Sequence, residues 1–223
     1  MDTPGVINLA GKKSISYRIM LKYQWLKFEK MPAISVIMPV YNGEKYLKEA
    51  VESILNQLFV DFEFIIINDA STDKTGEILA RYNDPRIRLY NNSTNIGLAA
   101  CLNAGIELAE GRYIARMDAD DISLPERFSV QYDFLENNLV YGIAGTNILL
   151  INNDGKILRK SNKSGSTALL KWYSFFNSPL YHPTIMTRCE IFQNLKYNEE
   201  YRNAQDFELW SRMLFQYGIE MKI

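Results

Sequence analysis

The chain has 223 residues and a mass of 25.8 kDa, with 47% hydrophobic and 23% charged residues, enough apolar surface to offset chain entropy in a folded domain. A net charge of −1 and a pI near 6.0 exclude the basic footprint of nucleic-acid binding, and no apolar run approaches the roughly 20 residues of a membrane span. Two cysteines, Cys101 and Cys189, without CxxC spacing exclude a disulfide framework; with no secretory signal at the N-terminus, the expected setting is the cytoplasm.

Residues 1–31 form a basic extension, with six basic groups against Asp2 and Glu29, a net +4, whereas the remainder nets −5. Odd positions from Ile15 to Trp25 are apolar, a strand-like alternation, and a helical reading stays open. Three expectations stand for this lead: peripheral contact with the inner face of a membrane, packing on the domain that begins at residue 32, or a stretch that precedes a true start at Met31.

From residue 33 apolar runs alternate with amphipathic stretches. Strands are expected at Ile34–Met38 (ended by Pro39), Glu63–Ile67, Arg86–Tyr90 and Tyr113–Met117, with helices at Glu44–Leu58, Asp73–Tyr82 and Leu98–Ala109. Strands separated by helices of 10–15 residues make right-handed βαβ units, hence a doubly wound, mostly parallel sheet flanked by helices. After Asp121 the rhythm changes to a smaller mixed region. It reads as a helix at Leu124–Asn137, a hairpin turning at Asn152–Gly155, a helix at Leu169–Phe176, a strand over His182–Thr187 and one long helix at Ala204–Tyr217. The expected halves of the domain are therefore 32–121 and 122–223.

Ligands of open parallel sheets bind beyond the C-terminal strand ends. The tips here are Pro39-Val40-Tyr41-Asn42-Gly43-Glu44, Asn68-Asp69-Ala70-Ser71, Asn91–Gly97 and Asp118-Ala119-Asp120-Asp121. Clustered carboxylates repel unless a cation or donors offset them, so Asp118, Asp120 and Asp121 suit a hard divalent ion, Mg²⁺ or Mn²⁺. One of them would suffice to open the helix that follows. Tyr41 is placed to stack on a base and Asp69 to accept from a uracil or ribose; a packed tyrosine and an Asx turn are the alternatives. Neither GxGxxG nor a P-loop is present, which argues against dinucleotide oxidoreductases and P-loop NTPases. His182, the single histidine, reads as a structural hydrogen bonder or a substrate contact. Trp172, Phe175 and Phe176 read as a sugar-stacking surface, with core packing expected for at least one; Cys101 reads as core.

The stretches ISVIMPVYNGEKYLKEAVESILNQLFVDFEFIIINDASTDKT and NIGLAACLNAGIELAEGRYIARMDADDISLPERF closely resemble the family 2 glycosyltransferases, inverting enzymes of GT-A fold, over about residues 33–217. The resemblance implies transfer of a sugar from a nucleotide-diphosphate donor, expected to be a UDP-sugar, to a hydroxyl of a saccharide or lipid-linked saccharide, with a divalent metal, in polysaccharide synthesis. It places Pro39, Tyr41, Asn42, Glu44, Asp69, Asn95, Arg116 and Asp118 at the nucleotide-sugar and Asp120 at the metal. AQDFELW resembles the family's base segment, making Asp206 the catalytic base, with His182 and Trp172 on the acceptor side. Two departures are Asn68-Asp69-Ala70-Ser71 where the family usually has Asp-Asp-Gly-Ser, and Gln205 where Glu often precedes the base. The chain stops at Ile223 where many relatives continue, so part of the acceptor side or a membrane-contacting tail is expected beyond it. One base and one metal suffice for a single displacement with inversion. The alternative from another class is a non-catalytic nucleotide-sugar-binding or scaffold relative, whose sign would be a lost acid.

Overall fold

The computed structural model describes residues 31–201 and 203–223. The readings made for residues 1–30 lie outside the described residues. The chain divides at Pro32, and Ala33–Ile223 is one compact unit.

Strands β1 (Ile34–Val40), β2 (Phe62–Asn68), β3 (Ile87–Asn91) and β4 (Tyr113–Arg116) alternate with helices α1 (Leu47–Leu55), α2 (Thr75–Leu79) and α3 (Leu98–Leu108). They pair in parallel in the order β3-β2-β1-β4. The mixed half adds α4 (Arg127–Asn137), β5 (Tyr141–Ala144), β6 (Leu149–Ile151), β7 (Ile157–Lys160), α5 (Thr167–Tyr173), β8 (Met186–Arg188), α6 (Cys189–Leu195), α7 (Gln205–Ser211) and β9 (Glu220–Lys222). Strands β8, β5 and β9 extend the main sheet beyond β4, with β8 antiparallel to both neighbours. Strands β6 and β7 form a separate antiparallel pair, exposed along its length.

Period-2 alternation sorts β1 between two cores. Ile34, Val36 and Met38 pack with α1 and Phe128 of α4, while Ile37 packs with α3, α6 and α7. Both faces are thus covered, and β2 reads as the continuous buried run FEFIIIN.

Strand β1 runs through Pro39 instead of ending there. Met117 N donates to Ile37 O and Asp69 N to Val40 O, so odd residues of β1 face β4 and even ones face β2. Pro39 points to the β4 side beyond Arg116, the last β4 residue, so its missing N–H deprives no partner. Helices α1 and α2 are shorter than their apolar periodicity. The segment expected as a strand at His182–Thr187 opens with a 3₁₀ turn, His182–Thr184, where Pro183 is tolerated. The expected long final helix is α7 followed by a π-helical turn, Arg212–Gln216, whose wider pitch buries the consecutive Met213 and Leu214.

Candidate active site

The chain leaves β1 in one direction along the sheet and crosses back to place β4 on the other side of β1. This reversal opens a crevice beyond the C-terminal ends of β1 and β4. The four expected tips gather there.

Asp69 is 4% exposed. Its Oδ1 accepts from Asn92 Nδ2 (2.8 Å) and Ile96 N (2.9 Å), and its Oδ2 from Gly97 N (2.9 Å). Burial alone would raise this carboxyl, yet the donors from Asn92, Ile96 and Gly97 outweigh it and hold Asp69 below its usual value. Oδ1 is filled, whereas Oδ2 retains a lone pair for one further N–H or O–H. Gly97 begins α3 at φ +88, a conformation that L side chains rarely adopt, which lets its amide turn onto Asp69. Asn95 Nδ2 donates to the Asp69 carbonyl at 3.2 Å.

Asn42 and Glu44 clasp two loops. Thr72 N donates to Asn42 Oδ1 (2.8 Å), Lys74 N donates to Glu44 Oε2 (2.9 Å), and Asp73 Oδ2 accepts from Glu44 N (3.0 Å). Their polar atoms thus hold the β1 tip to the β2 tip. Pro39 is buried inside β1 and acts by position, whereas Tyr41 is 53% exposed at the crevice rim.

After β4, Asp118, Asp120 and Asp121 place carboxylate oxygens within 4.8 Å of one another. Desolvation, reinforced by the charges of Asp118 and Asp120, pushes Asp121 up to about 6. The charges of Arg116 and Arg127 act against this rise without cancelling it, and the cluster's all-oxygen donor set suits a hard divalent cation. Arg116 is buried beside it, in an ion pair with Asp118, and its Nε makes no hydrogen bond. A second buried guanidinium, Arg127, is held by Gln131 (Nε to Oε1, 3.0 Å) and the Arg116 carbonyl (2.8 Å). Burial and the neighbouring Arg116 charge lower Arg127 to about 9.

Asp206 lies in the first turn of α7 and makes no capping hydrogen bond. Ser178 Oγ, which donates to the Leu180 carbonyl at 2.9 Å, lies 3.5 Å from its Oδ2. Glu208, two residues on, is committed elsewhere: its carboxylate takes Arg212 Nε at 2.6 Å and Nη2 at 2.9 Å, while Arg212 also donates to the Leu195 and Lys196 carbonyls. The buried phenol of Tyr197 links the two sides of the crevice. Burial raises it; the Arg116 charge acts against that, and the charges of Asp206 and Asp118 add to it. His182 Nε2 lies 2.8 Å from Tyr197 Oη and its ring meets Trp210 edge-on at 5.9 Å. Burial and the Arg116 charge hold His182 well below its usual value, so the ring is neutral.

Arg116, Asp118, His182, Tyr197 and Asp206 thus form one neighbourhood. Trp172 stands apart: 60% exposed, it stacks edgewise with Phe175 and Phe176, and those two are 69% exposed rather than core. Their helix packs through Leu170, which leaves the following turn on the surface. Cys101 is buried in the core.

Sequence reasoning missed Tyr197, Ser178 and the Arg127–Gln131 pair. Tyr197 and Ser178 meet His182 and Asp206, 15 and 28 residues away, so no local spacing marks them, whereas Arg127 and Gln131 stand four apart on α4, a spacing that could have found them. It also passed over the acid-free stretch 155–189, with six basic residues, which simple counting reveals.

The sequence model of "Glycosyl transferase family 2" matches residues 35–201. An uncharacterized glycosyltransferase of Methanocaldococcus jannaschii is 38% identical over 188 residues, covering 82% of this chain and 65% of its own length. The putative glycosyltransferase EpsE of Bacillus subtilis is 40% identical over 192 residues, covering 81% and 66%. The O-antigen biosynthesis glycosyltransferase WbnJ of Escherichia coli is 36% identical over 186 residues, covering 81% and 71%. The chain therefore spans about two thirds of the length of these relatives. Among solved structures, Staphylococcus aureus TarS 1–349 superposes with a TM-score of 0.67 at 23% identity, over 85% of this chain and 57% of that one. The mannosyltransferase PcManGT of Pyrobaculum calidifontis, in complex with GDP-Man and Mn²⁺, gives 0.65 at 16% identity, over 94% and 63%. At these identities the likeness is one of fold, the mixed α/β arrangement with a largely parallel central sheet.

Proposed function

The chain belongs to glycosyl transferase family 2, and from that membership and the crevice geometry we propose that it transfers a sugar from a nucleoside-diphosphate sugar to an acceptor hydroxyl, with inversion, in the synthesis of a polysaccharide. The observation that supports this reading most is the packing around the His182–Thr184 turn: the His182 ring meets Trp210 of α7, the helix whose first turn carries Asp206, at 5.9 Å, and the carbonyl of Ile185, next after the turn, takes Arg116 N at 3.0 Å. The strand that leads into the acid cluster and the helix that carries Asp206 are thus packed against one segment.

In this reading Asp69 Oδ2 accepts from the imide of a uracil and Tyr41 covers the base. UDP as the nucleotide is consistent with the TarS structures solved with UDP and UDP-GlcNAc. Asn95, Asn42 and Glu44 fix the loops around the nucleotide, and Asp118, held from behind by the buried Arg116, faces the ribose and donor sugar. Asp120, with its neighbours, holds a divalent cation, which when bound neutralises charge on the departing diphosphate. Asp206 accepts the proton of the acceptor hydroxyl as it attacks, and among the described residues its carboxylate has no ion pair of the kind that ties Glu208. Neutral His182 orients the Tyr197 hydroxyl. Every acid the chemistry needs is present, so a non-catalytic relative is the weaker reading. Among the described residues no helix is long and apolar enough to cross a membrane.

The test is the thermal midpoint of the protein with UDP or GDP, with and without Mn²⁺, beside the release of free sugar from nucleotide-sugars. The reading expects UDP to raise the midpoint only with Mn²⁺, and a matching UDP-sugar to be turned over. Indifference to every nucleoside diphosphate in Mn²⁺ would overturn it.

A further inference from the structure

The exposed β6–β7 pair does more than turn the chain. Between it and Tyr181 lies a groove enclosing about 540 Å³, within the size range of ligand sites. Its floor is apolar, from Ile148 and Leu150, and its wall is cationic, from Arg159, Lys160 and Lys163. None of these three cations has a carboxylate within ion-pair distance among the described residues, and the sequence holds no acid from residue 155 to 189. Three positive charges around one groove repel each other, and an anion seated among them would relieve that repulsion.

The groove adjoins the proposed base. Lys163 Nζ donates to the Ser178 carbonyl at 2.8 Å and sits 4.1 Å from the centre of the Tyr181 ring. Ser178 Oγ in turn reaches Asp206 Oδ2 at 3.5 Å. One residue, Ser178, therefore separates the basic wall from the carboxylate that would deprotonate the acceptor. Lys163 is anchored, while Arg159 and Lys160 project from an exposed strand. Arg159 offers the planar fork that grips two oxygens of a phosphate, and the lysines supply point charges.

We propose that this groove is an acceptor subsite that takes a phosphate group, so that the acceptor is a phosphate-bearing molecule whose attacking hydroxyl lies beside Asp206. It rests on the glycosyl-transfer reading and deepens it by naming the acceptor's chemistry. The phosphate has two sources, a lipid headgroup or a soluble phosphorylated polyol or saccharide; the groove's recognition is the same for both.

The experiment compares the full chain with the double variant Arg159→Glu/Lys160→Glu, whose side chains are exposed and whose thermal midpoint is checked first. Each protein is titrated with sn-glycerol 3-phosphate, with glucuronate, and with vesicles of equal parts phosphatidylcholine and phosphatidylglycerol against phosphatidylcholine alone. Mn²⁺-dependent UDP binding is measured beside them. The expected result is at least about tenfold weaker binding of the phosphate probe by the variant, with UDP binding unchanged. Saturable binding of glycerol phosphate assigns the soluble source, and binding confined to the phosphatidylglycerol vesicles assigns the lipid one. Equal phosphate binding by both proteins, binding of neither probe, or glucuronate held as tightly as glycerol phosphate would overturn the subsite. Loss of UDP binding in the unaltered chain, with phosphate binding retained, would instead remove the transfer reading and leave an anion groove of another role.

Discussion

Ala70 has φ 57, in the left-handed region where a Cβ costs roughly 1–2 kcal/mol. This is the place where the family pattern named above has Gly, and the structure gives the reason: the chain must turn sharply after Asp69 so that Ser71 N can reach Asn68 Oδ1 at 3.2 Å. Ala70→Gly should therefore stabilise the protein by about 0.5–1 kcal/mol, less than the full relief because Gly gains entropy when unfolded. Urea unfolding measures this, and a destabilised variant would count against strain at this turn. Glu208 and Asp206 make a second contrast. Glu208→Gln removes the charge from a two-bond grip on Arg212 and should cost about 1–2 kcal/mol in the same assay. Asp206→Asn, with no ion pair to lose among the described residues, should leave the midpoint nearly unchanged.

At the scale of elements, loops are held to the sheet by buried side chains more than by their own turns. Gln57, just past α1, donates from Nε2 to the Leu124 carbonyl at 2.8 Å and to Ser123 Oγ at 3.2 Å, and accepts from Phe128 N at 3.1 Å. It thus fixes the segment that carries the chain from the acid cluster into α4. Gln57→Ala leaves several of these buried groups unsatisfied and should cost about 2–3 kcal/mol by chemical denaturation; a loss under 0.5 kcal/mol would show that the loop stands without it. The parallel half was legible because buried strands and amphipathic helices alternate in sequence, as in FEFIIIN. The mixed half was less so. The run Tyr141–Ile151 holds two strands that separate at Gly145 into different sheets, a division that depends on β8 and β9 and on no local pattern. Helix α6 and strand β9 are short, and their apolar residues take meaning only from the core they enter. In the site, the strand-tip acids were readable from position, whereas the Tyr197 bridge is a tertiary fact.

For the whole molecule, buried polar groups give stability its pH dependence. His182 titrates near 6.5 when unfolded and well below that when folded, because burial and the Arg116 charge oppose a proton on the ring. The unfolded state then binds the extra proton. The contribution of His182 is full above pH 6.5 and is lost as pH falls towards the folded value, by up to about 1.4 kcal/mol per pH unit. Asp121, pushed up to about 6, takes up a proton in the folded state over the same range and works in the opposite sense, so the His182 share is read by difference: from pH 7 to pH 5 the protein should lose more stability than His182→Gln does, and equal slopes would mean the ring is protonated in the folded state. The two cores on either face of the sheet are joined through β1, so such local changes are read out in the global transition.

The claim on which the account turns is that Asp206 takes the acceptor proton. Asparagine has nearly the same shape and cannot accept a proton at neutral pH, so the decisive measurement is the sugar-transfer rate of Asp206→Asn at saturating donor. The account predicts a fall on the order of 10²- to 10⁴-fold, with Mn²⁺-dependent UDP binding and thermal midpoint unchanged. Turnover near that of the unaltered chain would contradict it.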